Sequence, residues 1–184
     1  MFSTILSLCL LGSALAQVPS FGKCPEVQTA VDFQLSSYMG RWYEAQRYFS
    51  EIEVLGKCIT SDYTLADNNT VNMEDSKISI LSGELYSLKS TARVPDPSDP
   101  AKLRVRLNND PIGFETDYFV LGTDYDNFAV VYNCYSVKLF SVKHARILTR
   151  QRYASQSVID AAMAIAERNG LHRAIFIKTN QSNC

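Results

Sequence analysis

The chain has 184 residues, a length that suits one domain, with 46% apolar and 20% charged residues, as in an ordinary soluble globular protein. Its net charge of −1 excludes the basic field with which nucleic-acid and anionic-membrane binders attract their partners. Ten tyrosines and nine phenylalanines favour strands and the lining of apolar cavities.

Residues 1–16 read as an export signal. Phe2 to Leu15 is almost wholly apolar or small, and Ala14-Leu15-Ala16 fits a small-x-small cleavage site before Gln17, although no Lys or Arg precedes the run. The competing reading is a buried segment or a membrane anchor, and the run is shorter than the about 20 residues a bilayer needs. Residues 17–184 are then a single domain, secreted and extracellular. Cys9 leaves with the signal, and Cys24, Cys58, Cys134 and Cys184 remain. An even count in an exported chain implies two disulfides, with three connectivities open. There is no CxxC, and His144 and His172 are the only histidines, so neither a metal nor a cofactor is expected.

Residues 17–39 form an entry segment with a helical turn around Val31–Tyr38. Eight strand-like runs follow: Gly40–Phe49, Cys58–Ala66, Thr70–Leu81, Glu84–Val94, Lys102–Leu107, Thr116–Gly122, Phe128–Tyr135 and Ala145–Arg152. In the fifth, Leu103, Val105 and Leu107 alternate with Lys102, Arg104 and Arg106, the period of a strand with one buried face. Asp67-Asn68-Asn69 and Leu81-Ser82-Gly83 read as turns, and the three prolines of Pro95–Pro100 break any ladder. Eight short strands at this spacing suggest a sandwich or a barrel.

One helix comes late. Ser155 or Ser157 can cap it, Asp160 supports its first turn, and Gly170 ends it. Val158, Ala162 and Ile165 share its apolar face, flanked by Ile159, Met163 and Ala166. Arg173–Lys178 reads as a last strand. The fold class is all-β: an eight-stranded antiparallel up-and-down barrel, with room for one small ligand and the helix packed on its wall.

Three separated stretches decide among families. Gly40-Arg41-Trp42-Tyr43-Glu44, Thr123-Asp124-Tyr125 and the Arg150 of Ile147-Leu148-Thr149-Arg150 occur in that order. They resemble the G-x-W-Y motif, the T-D-Y turn and the late arginine of the lipocalin family. Further runs, including Gly22-Lys23-Cys24-Pro25, Cys58-Ile59, Val131–Cys134 and Asn183-Cys184, are similar to the apolipoprotein D and Lazarillo branch. The resemblance implies that Gly40, Trp42, Thr123, Asp124, Tyr125 and Arg150 close one end of the barrel, with the Arg150 guanidinium across the Trp42 indole, a contact of about 0.5–2 kcal/mol. It implies disulfides Cys24–Cys134 and Cys58–Cys184.

The same resemblance places Tyr63, Tyr118 and Arg146 in the cup, and strand parity adds Leu103, Val105 and Val120; ordinary barrel filling is the alternative for each. At Arg146 the branch carries a tryptophan, so two readings stand open. Pointing inward, the guanidinium needs a partner, for which a ligand carboxylate would serve. Pointing outward, it is a solvated charge. Asn68 and Asn180 begin glycosylation sequons.

The implied function is extracellular carriage of one small hydrophobic ligand (a fatty acid, sterol, retinoid or similar lipid, carboxylated if Arg146 faces inward). Roles in lipid transport and in the response to oxidative stress come with the resemblance. A bilin- or carotenoid-binding role is the alternative. An enzyme is not expected, since the disulfides leave no free thiol and neither histidine has an evident acidic partner. The open rim is the place for contact with a membrane or lipoprotein surface, and the expected state is a monomer or weak homodimer.

Overall fold

A computed structural model describes residues 19–49, 55–67 and 69–184. The proposed export signal and Asn68 lie outside the described residues. Strands β2 (Gly40–Tyr48), β3 (Gly56–Asp67), β4 (Thr70–Ser79), β5 (Leu85–Arg93), β6 (Lys102–Leu107), β7 (Glu115–Thr123), β8 (Phe128–Val137) and β9 (Phe140–Thr149) pair in chain order, all antiparallel. β9 returns to β2, from Tyr43 opposite Thr149 to Arg47 opposite Arg146, and closes the barrel. The alternation of β6 appears as expected, with Leu103 buried and Lys102 and Arg106 exposed.

Two short strands extend the wall where β2 and β9 part. β1 (Pro19–Phe21) pairs with Val142–Phe140 of β9, and β10 (Phe176–Lys178) with Tyr48–Gln46 of β2. β1 was not foreseen, because three residues carry no readable period. The Arg173–Lys178 run divides into a 3₁₀ turn at Arg173–Ile175 and then β10. The entry segment's helix, α1, is shorter than expected, only Leu35–Tyr38.

β9 departs most from expectation, running Phe140–Thr149 rather than Ala145–Arg152. Val137 lies opposite Phe140, so the turn is only Lys138-Leu139, with Lys138 at φ +55° and no Gly or Asn to mark it. At the other end Arg150 leaves the ladder for the barrel's closed end. The turn after β3 is the tight one expected: Asp67 pairs with Thr70, and the Asn69 N–H donates to the Asp67 carboxylate at 2.9 Å.

Helix α2 (Gln156–Arg168) packs on the outer wall through Ile159, Ala162, Met163 and Ala166, against Leu121, Phe128, Val130 and Ile147. Val158 and Ile165 are only partly buried, so the apolar face is turned toward the residues expected to flank it. Gly122 lets the helix approach, since a Cβ there would stand 2.7 Å from Ile165 Cδ1. Ser155 holds the N-cap position, but its hydroxyl meets Ser157 at 2.9 Å instead of a backbone N–H. Asp160 lies beyond the first turn, where its carboxylate accepts from Gln156 and Arg173, each at 3.1 Å. Gly170, at φ +73°, ends the helix as expected, and the Leu171 and Gly170 N–H groups take the carbonyls of Ala166 and Glu167.

Candidate functional site

The barrel is closed at the end where β2 begins. Trp42 is fully buried, and its indole N–H donates to the Tyr38 carbonyl at 2.9 Å. The Arg150 guanidinium lies 3.6 Å from the centre of the Trp42 ring. Its N–H groups also donate to the carbonyls of Tyr125 at 2.8 Å, Arg41 at 2.9 Å and Met39 at 2.8 Å. Gly40 is at φ +96°, and a Cβ there would stand 3.3 Å from the Arg150 guanidinium.

The Thr123-Asp124-Tyr125 turn presents one of those carbonyls. Thr123 donates to the Phe128 carbonyl at 2.6 Å, and Asp124 accepts the N–H groups of Asn127 and Phe128. Burial pushes the Asp124 carboxyl up, but those N–H groups outweigh it and hold the carboxyl below its ordinary range. The six residues expected at the closed end therefore meet there.

Above this plug lies a polar belt. The Tyr118 hydroxyl is 2.9 Å from that of Tyr38 and 3.1 Å from that of Tyr63, all three being buried. Ser61, two residues before Tyr63 on β3, donates to Asp75. Asp75 in turn stands 3.6 Å from Arg146 Nη1, an ion pair whose side chains are 30% and 16% exposed. Arg146 therefore faces the interior. Burial works against its charge, but Asp75 and the Tyr63 and Tyr118 phenols outweigh it and hold the guanidinium above its ordinary value. Burial likewise holds all three tyrosines well above theirs.

A cavity of about 220 Å³ opens on this belt, lined among others by Arg146, Asp75, Tyr118, Val131, Asn133 and Arg47. Behind Arg47 the C-terminal tail braces the wall. Buried Glu44 accepts from Arg47 at 2.9 Å and from Thr179 at 2.7 Å, and Gln181 donates to the carbonyls of Glu44 and Ile59, joining β2 to β3. The Cys58–Cys184 disulfide pins this tail, and Cys24–Cys134 ties the entry segment to β8. Asn180 is exposed on the tail.

Toward the mouth the lining turns apolar. Tyr86, Leu88, Leu107 and Phe140 share the inward parity of Ala92, Leu103 and Leu148, yet are 40–54% exposed. Inward side chains that water reaches are the walls of an open cup.

Of the expected lining residues, the structure brings Tyr63, Tyr118 and Arg146 together. Leu103 and Val120 are buried lower in the barrel, and Val105 is partly buried above Leu103. Tyr38, Ser61, Asp75 and the apolar mouth were not foreseen. Asp75 was legible, since Val71, Met73 and Asp75 share one parity on β4; Tyr38 precedes the first barrel strand and has no period to betray it.

An eight-stranded barrel with one end plugged, the other open and a half-polar cavity between them is a container for one small molecule. The family profile described as "Lipocalin-like domain" matches residues 31–181. Apolipoprotein D of Cavia porcellus is 34% identical over 176 residues, covering 95% of this chain and 91% of that one. A bilin-binding protein of Pieris brassicae is 31% identical over 130 residues, covering 71% of this chain and 67% of that one. The solved structure of insecticyanin from the tobacco hornworm Manduca sexta superposes with a TM-score of 0.80 at 24% identity, covering 91% and 90% of the two chains. The chain belongs to the lipocalin family, whose barrels carry small hydrophobic ligands.

Proposed function

We propose that this protein is a secreted carrier of one lipid with a polar end, held head-down in the cup. The observation that carries the reading is Arg146: its guanidinium faces the cavity, and Asp75 at 3.6 Å is too far to take up its N–H groups as hydrogen-bond donors. A ligand oxygen is the natural acceptor, and a carboxylate can take two of those N–H groups at once. The apolar tail then lies along Leu88, Leu107 and Phe140 toward the mouth, where burial contributes about 25 cal/mol per Å². Fatty acids head the list of ligands, with retinoids and sterols behind them. The role is binding, not catalysis, and lipid transport or protection from oxidative stress would follow from it.

The similarity to a bilin-binding protein favours a second reading, a linear tetrapyrrole in the same cup. Titration of the delipidated, oxidised protein with a fatty acid, its alcohol, retinol and biliverdin, followed by Trp42 fluorescence and native mass spectrometry, separates the two. One-to-one binding with the acid strongest supports the first reading. Biliverdin strongest supports the second, and no binding by folded protein overturns both. The loop tips at the mouth, Ile80, Leu81, Ile112, Phe114 and Leu139, are exposed and apolar. They would meet the lipid surface from which a ligand is drawn, and flotation with phosphatidylcholine vesicles tests that contact.

A further inference from the structure

We infer that the cup is built for an acid with a second polar group a few carbons along its chain, and that Asn133 holds that group. The inference rests on the carrier reading above and narrows the ligand class within it.

The wall formed by β8 and β9 carries the observation. Cys134 is tied by its disulfide to Cys24 of the entry segment, outside the barrel. Its neighbours Asn133 and Tyr135 therefore point inward, in step with buried Val131. Arg146 lies opposite Val131, and His144 lies opposite Asn133. Asn133 thus stands one step nearer the mouth than Arg146, diagonally across the ladder from it. Such diagonal neighbours are about 7–8 Å apart. Both residues line the same cavity. The Asn133 side chain is half-buried and makes no hydrogen bond to another described residue. Its amide has both donors and an acceptor to offer. The His144 ring instead stacks with that of Tyr135, one step further toward the mouth, with centres 6.2 Å apart. The last inward residues of β9 are the apolar Val142 and Phe140, and Leu88 and Leu107 continue the apolar lining on β5 and β6.

From the belt upward a ligand along this wall meets a cation, then an amide, then apolar side chains. An unsubstituted fatty acid suits the first and the last. It lays methylene groups against the Asn133 amide and strips its water without return. A hydroxyl at that level gives the amide a partner, whichever of its two groups is turned to the ligand. With the carboxylate on Arg146, the step of about 7 Å corresponds to roughly the sixth carbon of an extended chain. A hydroxyl nearer the tail falls beside Phe140 and Leu107 and loses water uncompensated.

The test is calorimetric titration of delipidated, oxidised protein with dodecanoic acid and with its sixth-carbon and tenth-carbon hydroxy derivatives. The two hydroxy acids have the same composition, so their ratio reports the place of the hydroxyl alone. Wild type should bind the sixth-carbon isomer about tenfold more tightly than the tenth-carbon one, the value of one hydrogen bond. Asn133→Leu should bring that ratio near one by weakening the sixth-carbon isomer, without weakening dodecanoic acid. Asn133→Ala should do the same and serves if the leucine variant does not fold, with circular dichroism as the check. Wild type that binds the isomers equally, or prefers the tenth-carbon one, overturns the inference while binding of dodecanoic acid keeps the carrier reading standing. A wild-type preference that survives both substitutions overturns the assignment to Asn133. Wild type that binds none of the three acids overturns the carrier reading and this inference with it.

Discussion

Arg150 and Arg146 lie four residues apart near the end of β9, and the barrel treats them in opposite ways. Arg150 lies on Trp42 and donates to the carbonyls of Arg41, Met39 and Tyr125, so each of its three side-chain nitrogens is bonded within the protein. Arg146 has an ion-pair partner, but its guanidinium makes no hydrogen bond to another described residue, and it faces a cavity. One is a fastener and the other is left for a visitor. Completed hydrogen bonds rigidify a site, whereas an incomplete set marks the place where something else is to bind.

The comparison breaks most visibly at the plug. Trp42→Ala should cost about 3–5 kcal/mol of stability, because a large ring leaves a cavity and Arg150 loses its apolar platform. Arg150→Leu should cost about 2–4 kcal/mol, since several carbonyls lose a charged donor at once. Urea unfolding followed by circular dichroism reads both. Neither change should alter the ratio of acid to alcohol binding in protein that remains folded. A change in that ratio would mean that the two ends of the barrel are coupled.

Arg146→Leu should give the reverse profile. Its stability cost is smaller, about 1–3 kcal/mol, because Asp75 keeps Ser61 as a donor and is partly open to water. Fatty-acid affinity should fall by about tenfold or more, while the matching alcohol loses less. Equal losses for acid and alcohol would show that Arg146 shapes the cup without touching the ligand's head.

This difference between the arginines explains what could be read from the sequence. The plug was legible because its parts sit in short motifs with fixed jobs: Gly40 and Trp42 on β2, Thr123–Tyr125 in a turn, and Arg150 after β9. The strands were legible from alternation and turns, except β1, too short to show a period, and β9, whose entry turn at Lys138-Leu139 has no turn residues. The cup was only half legible. Tyr63, Tyr118 and Arg146 came from resemblance, but the direction of Arg146 depends on the register of β9 against β8. Asp75 shares the parity of Val71 and Met73 on β4, whereas Tyr38 on α1 has no period to show it. A site assembled from α1, β3, β4, β7 and β9 is fixed by register across the barrel, which no local pattern records.

The smallest effects should come from the tyrosines between the two ends. Tyr118→Phe removes the hydroxyl that Tyr38 and Tyr63 both meet and should cost about 1–2 kcal/mol. Tyr38→Phe removes one end of the trio and should cost about 0.5–1 kcal/mol, since Tyr118 and Tyr63 stay paired. The sign of the pH dependence follows from burial. All three phenols are held well above their ordinary value of 10.0. Their contribution is thus fully present below that value and is lost as the pH rises beyond it, when the unfolded chain can ionise and the folded one cannot. In an alkaline absorbance titration Tyr38, Tyr63 and Tyr118 should stay silent until the protein unfolds, and then ionise together. Tyr118→Phe should lower the pH of that transition more than Tyr38→Phe. If the two variants shift it equally, Tyr118 is not the hub of the three hydroxyls.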